Sequence, residues 1–313
     1  DITSWEELDT IPAFGTYNQA VKMDNGDIYL FYRHGAHRSD WVYQKSTDNG
    51  RSFAPPVSIL KHKRREDLAA VDSWYAWAGR GNGHDIILAY DYHLCWDVDA
   101  GENGRGHTTE RHDAYYMVFD TRTGAWRNIA GKVLELPITR EYADKNTLAV
   151  STAGLWTFGG SVHLDPAGRP HIGINIGEDL GEKTGGPKRM THYRWDGEGW
   201  VGGTSAVKTK SRGDFIVRSE HEVRFLLAYS DGSDGVVAWW NSSDGGTSFT
   251  KGHELLRRGK ANWAITSIIR NAHPDAQVVV AEIPPGTDFR KMYLLGSSGP
   301  VQRKKSEAML LQP

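Results

Sequence analysis

Short apolar runs, each preceded by a polar turn, recur along the whole chain. They read "DNGDIYLFYRHG", "GNGHDIILAYDYH", "DPAGRPHIGINIG" and "EHEVRFLLAYSDG", starting at Asp24, Gly81, Asp165 and Glu220. Alternation of period two predicts strands, and Gly, Asn and Asp between the runs predict tight hairpins. Long helical periodicity is absent; "KRREDLAAVDSW" (Lys63–Trp74) holds a helical turn or two at most. The pattern predicts an all-β chain built as a sandwich, barrel or propeller.

A second pattern repeats within the first. "STDNGRSF" (Ser46–Phe53) and "SSDGGTSF" (Ser242–Phe249) share Ser-x-Asp-x-Gly-x-Ser-Phe. The Asp carboxylate suits turn N–H groups, the Gly a positive φ, and the terminal aromatic a place under the turn. Two copies in one chain signal a structural repeat, so Asp48 and Asp244 are not nominated for chemistry. A four-stranded blade takes about 40–50 residues, so a chain of 313 residues accommodates six or seven. No Pro/Ser-rich linker divides residues 1–313, which read as one β-propeller domain. A pair of β-sandwich domains is the structural alternative.

Composition narrows the partners. Hydrophobic residues make up 39% of the chain, with 12 Trp, 13 Tyr and 35 Gly, a balance that suits strands, tight turns and an aromatic-lined surface. The formal net charge of −2 gives no global excess for binding nucleic acid. The basic runs Lys61–Asp67 and Gln302–Glu307 read as solvated loops. No apolar run is long enough to span a membrane. The single cysteine, Cys95, rules out an internal disulfide. A start at Asp1 without Met fits a secreted or periplasmic protein whose signal peptide has been removed. A monomer is expected.

Candidate chemistry concentrates at strand ends. In "ILAYDYHLC" (Ile87–Cys95), Asp91, His93 and Cys95 share one face. "RHDAYYM" opens the next strand at His112, and the intervening loop permits antiparallel pairing that brings both histidines to one end of a blade. In "GGPKRMTHYRW", Arg189, Thr191 and Tyr193 share a face. Arg binds carboxylates through a planar fork, and Tyr passes a proton once a cation lowers its pKa. Trp74, Tyr75 and Trp77 are either core or a sugar-stacking platform. "FYRHGAHRSDW" gathers Arg33, His34, His37 and Arg38, a cationic cluster suited to an anionic substrate. Cys95 with His93, His107 and His112 offers zinc-type ligands, with Cys95 and His107 first among them, although the spacing matches no standard finger. "DVDAGENG" (Asp97–Gly104) has part of a calcium loop without its terminal acid.

The phrases "FGTYNQAVKMDNGDIYLFYRHG", "DSWYAWAGRGNGHDIILAYDYHLC", "DPAGRPHIGI", "SSDGGTSF" and "IIRNAHPDAQVVVAE" resemble ulvan lyases of the Asp-box (BNR-repeat) propeller type, polysaccharide lyase family 25. The resemblance runs from about Phe14 to about Pro300, and "YHLC" and "WNSSDGGTSF" are its more specific segments. It implies a seven-bladed propeller whose canyon holds a sulfated polysaccharide. The implied reaction is β-elimination between rhamnose-3-sulfate and a uronic acid, leaving an unsaturated uronate, with no metal required. The family's histidine pair matches His93 and His112, and its Arg and Tyr match Arg189 and Tyr193 by context. His93 and Tyr193 are then expected as base and acid. Arg189 is expected to neutralise the uronate carboxylate, with His112 as partner or second base. Arg33, Arg38, Trp74 and Trp77 are expected along the substrate. Some relatives carry a catalytic tyrosine on the strand that here reads "LWTFGGSVHL", where Phe158 stands.

Two other readings remain open from the residues. A sialidase-like hydrolase shares the repeat and the fold but consumes water and yields no unsaturated product. A non-catalytic glycan-binding propeller would bind the polymer without turnover.

Overall fold

The computed structural model describes residues 15–270 and 272–301, together with 4, 6–8 and 11. The basic run Gln302–Glu307 lies outside the described residues. Five antiparallel sheets follow one another along the chain. The first holds β1 (Thr16–Lys22), β2 (Ile28–Arg33), β3 (Trp41–Ser46) and β4 (Val57–Leu60). The second is wider, with β5 (Lys63–Arg64), β6 (Ala70–Arg80), β7 (Asp85–Trp96), β8 (Arg111–Asp120), β9 (Ala125–Arg127) and β10 (Leu148–Val150). The third holds β11 (Trp156–Leu164), β12 (Pro170–Gly177), β13 (Arg189–Trp195) and β14 (Trp200–Ser205). The fourth holds β15 (Ser211–Val217), β16 (Val223–Asp231), β17 (Asp234–Ser242) and β18 (Thr250–Gly259). The fifth holds β19 (Trp263–Ile268), β20 (Val278–Glu282), β21 (Lys291–Gly296) and β22 (Gly299–Pro300).

One long strand of each sheet packs on that of the next in succession: β1 on β6, β6 on β11, β11 on β15, β15 on β19. The architecture is an all-β propeller, and the described residues form five blades rather than the expected seven, or the alternative six. Equal division of the chain failed because the second blade runs from Lys63 to Val150. It spends residues on three strands of 10 to 12 residues, on the long β7–β8 loop, and on α1 (Arg140–Asn146). The helix is capped by the Thr139 side chain, which accepts from the Tyr142 N–H.

Cores lie between blades. Phe31 and Trp41 of the first blade pack with Trp74, Tyr90 and Tyr115 of the second. Ile87 and Ala89, on the other face of β7, pack with Val162, Ile172 and Ile174 of the third. Both Ser-x-Asp turns close the hairpin between the two outer strands of their sheets, β3–β4 and β17–β18. Asp48 accepts from Ser46 Oγ at 2.8 Å and from Ser52 N and Oγ at 2.9 and 2.6 Å. Asp244 repeats the set with Ser242 and Ser248 at 2.7, 2.9 and 2.6 Å. Gly50 and Gly246 both adopt φ near +90°, where a side chain would be strained.

Candidate active site

β7 ends and β8 begins at the rim where β2 ends and where β1, β11 and β15 begin, so residues from four blades converge there. Register decides which side chains meet. His93 pairs across the sheet with Arg111, and Tyr92 pairs with His112. Because neighbours on a strand point to opposite faces, His93 and Arg111 share one face while His112 and Tyr92 occupy the other. The structure therefore brings the two histidines to one end of one blade but separates their rings by the sheet.

On the His93 face stands a cationic, aromatic cluster. The Arg111 guanidinium lies 3.3 Å from the Tyr75 ring centroid and 4.5 Å from that of Phe158. Arg212, from β15, covers Phe158 at 5.1 Å, and Arg33 lies 4.9 Å from both Tyr17 and Tyr75. Lys188 donates only to the carbonyls of Thr184 and Gly186, at 2.6 and 3.2 Å. Arg33, Arg111 and Lys188 are buried, at 2%, 5% and 8% exposure. Among the described residues no carboxylate forms an ion pair with any of these four cations. Arg33 Nη1 and Arg111 Nε, both buried, have no partner among the described residues. Burial of unpaired charge is costly unless something compensates it, and here the faces of Tyr17, Tyr75 and Phe158 supply part of that compensation. Burial, helped by Arg111 and Arg212, pulls the Lys188 ammonium down to about 8.

His93 is 1% exposed. Its Nδ1 lies 2.9 Å from the Glu110 carbonyl oxygen, which only accepts, so Nδ1 carries the proton. Nε2 then bears a lone pair and has no partner among the described residues. Burial, followed by the charge of Arg111, holds the ring well below the ordinary histidine pKa and keeps it neutral. His37 and His107 adjoin it, and their ligand nitrogens and that of His93 all lie within 4.8 Å of one another. Burial and Arg33 lower His37 to about 4, and burial and Arg38 lower His107. Cys95 Sγ lies 3.3 Å from His107 Nδ1. Beneath this layer Asp91 accepts from Thr157 Oγ1 at 2.8 Å, and burial pushes its carboxyl up to about 7.

The other predicted residues fall elsewhere. His112 uses both ring nitrogens, Nε2 at 3.0 Å from Glu110 Oε1 and Nδ1 at 3.2 Å from the Leu155 carbonyl. Burial opposes its charge, but Glu110, the Leu155 carbonyl and Asp113 together outweigh burial and raise its pKa. It lines a cavity of about 850 Å³ with Lys63, Arg64, Tyr92 and Arg140. Arg189 and Tyr193 do share a cavity, of about 500 Å³, with Glu178, Lys208 and Lys210 on the third blade. That cavity does not include His93 or Arg111. Arg38 is exposed and paired with Asp97, which Arg64 also grips at 2.7 and 2.9 Å. Asp97, the first acid of the calcium-like loop, is thus already engaged. Trp74 is fully buried, with its indole N–H on the Lys61 carbonyl, and has no face left for a sugar. Trp77 packs, partly buried, against the core between the second and third blades.

Sequence reasoning did not nominate Arg111, Lys188, Arg212, Tyr17 or Glu110. Arg111 was recoverable, since it is the cross-strand partner of the chosen His93. Lys188 and Arg212 arrive from other blades, and no local pattern marks them.

Residues 3–204 match the family model described as "BNR repeat-containing family member". The chain is 57% identical, over its whole length, to "Ulvan Lyase-PL25" of Pseudoalteromonas sp. (strain PLSV). It is 51% identical over 99% of its length to an ulvan lyase of Nonlabens ulvanivorans. It spans 64% and 66% of those two relatives. A solved PL25 ulvan lyase superposes with a TM-score of 0.93 at 58% identity, covering 97% of this chain and 70% of that one. A similar match is to a structure described as bound to -[GlcA(1-4)Rha3S]-. The polysaccharide lyase Uly1, at 15% identity and a TM-score of 0.59, shares the fold.

Proposed function

Because the chain belongs to the PL25 ulvan lyase family, we propose that it cleaves ulvan by β-elimination at the uronate. The observation that carries this reading is the neutral, lone-pair-bearing His93 set among cations that have no carboxylate of their own. A uronate C5–H is too weakly acidic to lose its proton while the adjoining carboxylate is charged. Arg111, with Arg212 and Lys188 behind it, neutralises that carboxylate and stabilises the enolate-like species. His93 Nε2 takes the C5 proton, the C4–O4 bond breaks as C4=C5 forms, and O4 receives a proton. Tyr17 is assigned that last transfer. It is 51% exposed, its ring lies against Tyr75 and Arg33, and its φ of +63° is a strained geometry for a tyrosine. Phe158 has no proton to give. Arg33 suits the sulfate ester, and Arg189 and Tyr193 suit sugars beyond the bond that is cut. An extracellular polymer as substrate fits secretion. Among the described residues no helix is long and apolar enough to cross a membrane.

The decisive experiment incubates the protein with ulvan, desulfated ulvan, alginate and pectin while following the ultraviolet absorbance of the unsaturated product. Absorbance is expected with ulvan alone and is expected to vanish in His93→Ala. Reducing ends without absorbance would make the protein a hydrolase, and binding without either product would make it a glycan-binding propeller.

A second reading is favoured by the imidazole cluster. His37, His93 and His107, all kept neutral, with Cys95 behind His107, offer the nitrogen and sulfur donors zinc prefers. If His93 belongs to a metal, it is not the base. Elemental analysis of the purified protein separates the two. Stoichiometric zinc whose removal lowers the melting temperature and abolishes turnover gives His93 to the metal, and a metal-free active enzyme leaves it as the base.

A further inference from the structure

Glu110 touches both histidines, each through a different group. Its main-chain carbonyl receives the His93 Nδ1–H at 2.9 Å and the Leu94 N–H at 3.1 Å. Its carboxylate crosses to the opposite face of the sheet, where Oε1 meets His112 Nε2 at 3.0 Å and Oε2 receives the Trp96 indole N–H at 2.7 Å. His112 is held in turn by the Leu155 carbonyl at 3.2 Å. Glu110 is the last residue of the long loop before β8, so the main chain holds its carbonyl by the single ladder bond from Leu94, with loop on its other side. Here it is fixed from both sides, by the indole of β7 and by an imidazole of β8.

We propose that Glu110 is the positioning residue of the base. Its clamped side chain fixes the carbonyl that holds His93 with the proton on Nδ1 and the lone pair on Nε2. The inference rests on the assignment of His93 as base. It gives His112 a task that its placement on the far face otherwise leaves unexplained. It also predicts which protein groups matter without touching substrate: the Glu110 carboxylate and the Trp96 N–H, whose loss disturbs orientation and not affinity.

The test compares Glu110→Ala, Glu110→Gln and Trp96→Phe in the full chain, each first shown to melt cooperatively. Turnover of ulvan is measured alongside the ¹⁵N spectrum of the His93 ring. Glu110→Ala and Trp96→Phe are expected to lower kcat about tenfold with KM held within about twofold, as expected for lost orientation. Glu110→Gln keeps an acceptor for the indole and is expected to recover most of the rate. In the two impaired variants the His93 nitrogens are expected to report a mixture of tautomers. Unchanged kcat in Glu110→Ala, or a fall in kcat with the His93 spectrum unaltered, overturns the inference. Full activity in His93→Ala overturns the base assignment instead, and leaves the tautomer measurement to judge the clamp.

Discussion

A one-residue choice of face separates the two histidines. In β7 the alternation of Asp91, His93 and Cys95 was readable from the chain, because period-two patterning assigns faces without knowing the fold. The face of His112 was not readable in that way. It depends on which β7 residue it opposes, and pairing with Tyr92 instead of His93 turns the ring to the other side. The same register delivers Arg111 to His93, which makes Arg111 the sharper mutational target. Arg111→Ala is expected to lower kcat about a hundredfold, as for removal of a charge-stabilising donor at the reacting group. Arg189→Ala, in its separate cavity, is expected to raise KM a few-fold with kcat held. Initial rates over a range of ulvan concentrations decide, and the opposite pattern would return Arg189 to the centre of the chemistry.

Elements carry stability that the site does not reveal. The third blade buries His171 and His192, each 1% exposed, with Nδ1 of the first 2.9 Å from Nε2 of the second. Gly246 of the second Ser-x-Asp turn presses so close that a Cβ there would lie 2.1 Å from His192 Nδ1. Burial lowers the two rings to about 4 and about 3, with His171 adding to the effect on His192. Both folded values lie below the unfolded one, so below about pH 6.5 the unfolded chain binds protons that the folded chain refuses. Stability is therefore lost as pH falls from that point toward the folded values. The loss at about pH 5 is on the order of 2 kcal/mol per histidine. Melting temperature measured across this range is expected to fall steeply in the native chain and less in His171→Gln. Parallel curves would show that the pair does not drive the acid response. The repeated turn was plain in the sequence because its hydrogen bonds are local. The histidine pair was not, since it needs β12 and β13 in register.

At the scale of the molecule, all-β architecture followed from turn spacing, and the propeller from the repeated turn and the length of a blade. The blade count did not, because the second sheet absorbs an extra strand at each side and a helix that carries no long periodicity. The cationic rim is likewise a property of the whole propeller. Arg33, Arg111, Lys188 and Arg212 come from four successive blades, and the near-neutral total charge conceals their convergence. A polyanion gripped by such a rim is expected to show a KM that rises with ionic strength. From about 0.05 to 0.5 M salt the screening length shrinks by about threefold. Turnover assays in graded sodium chloride test this, and a flat KM would move recognition from charge to sugar stacking.

The loop between β7 and β8 does not belong to its own blade alone. Arg105 forks onto Asp179 of the next blade at 2.9 and 2.7 Å, and the Thr109 N–H reaches the Lys183 carbonyl at 2.8 Å. Anyone transplanting the His93 hairpin onto another scaffold would lift one half of a buckle. The segment that receives it, from Asp179 to Lys183, has to travel with it for the graft to keep its shape.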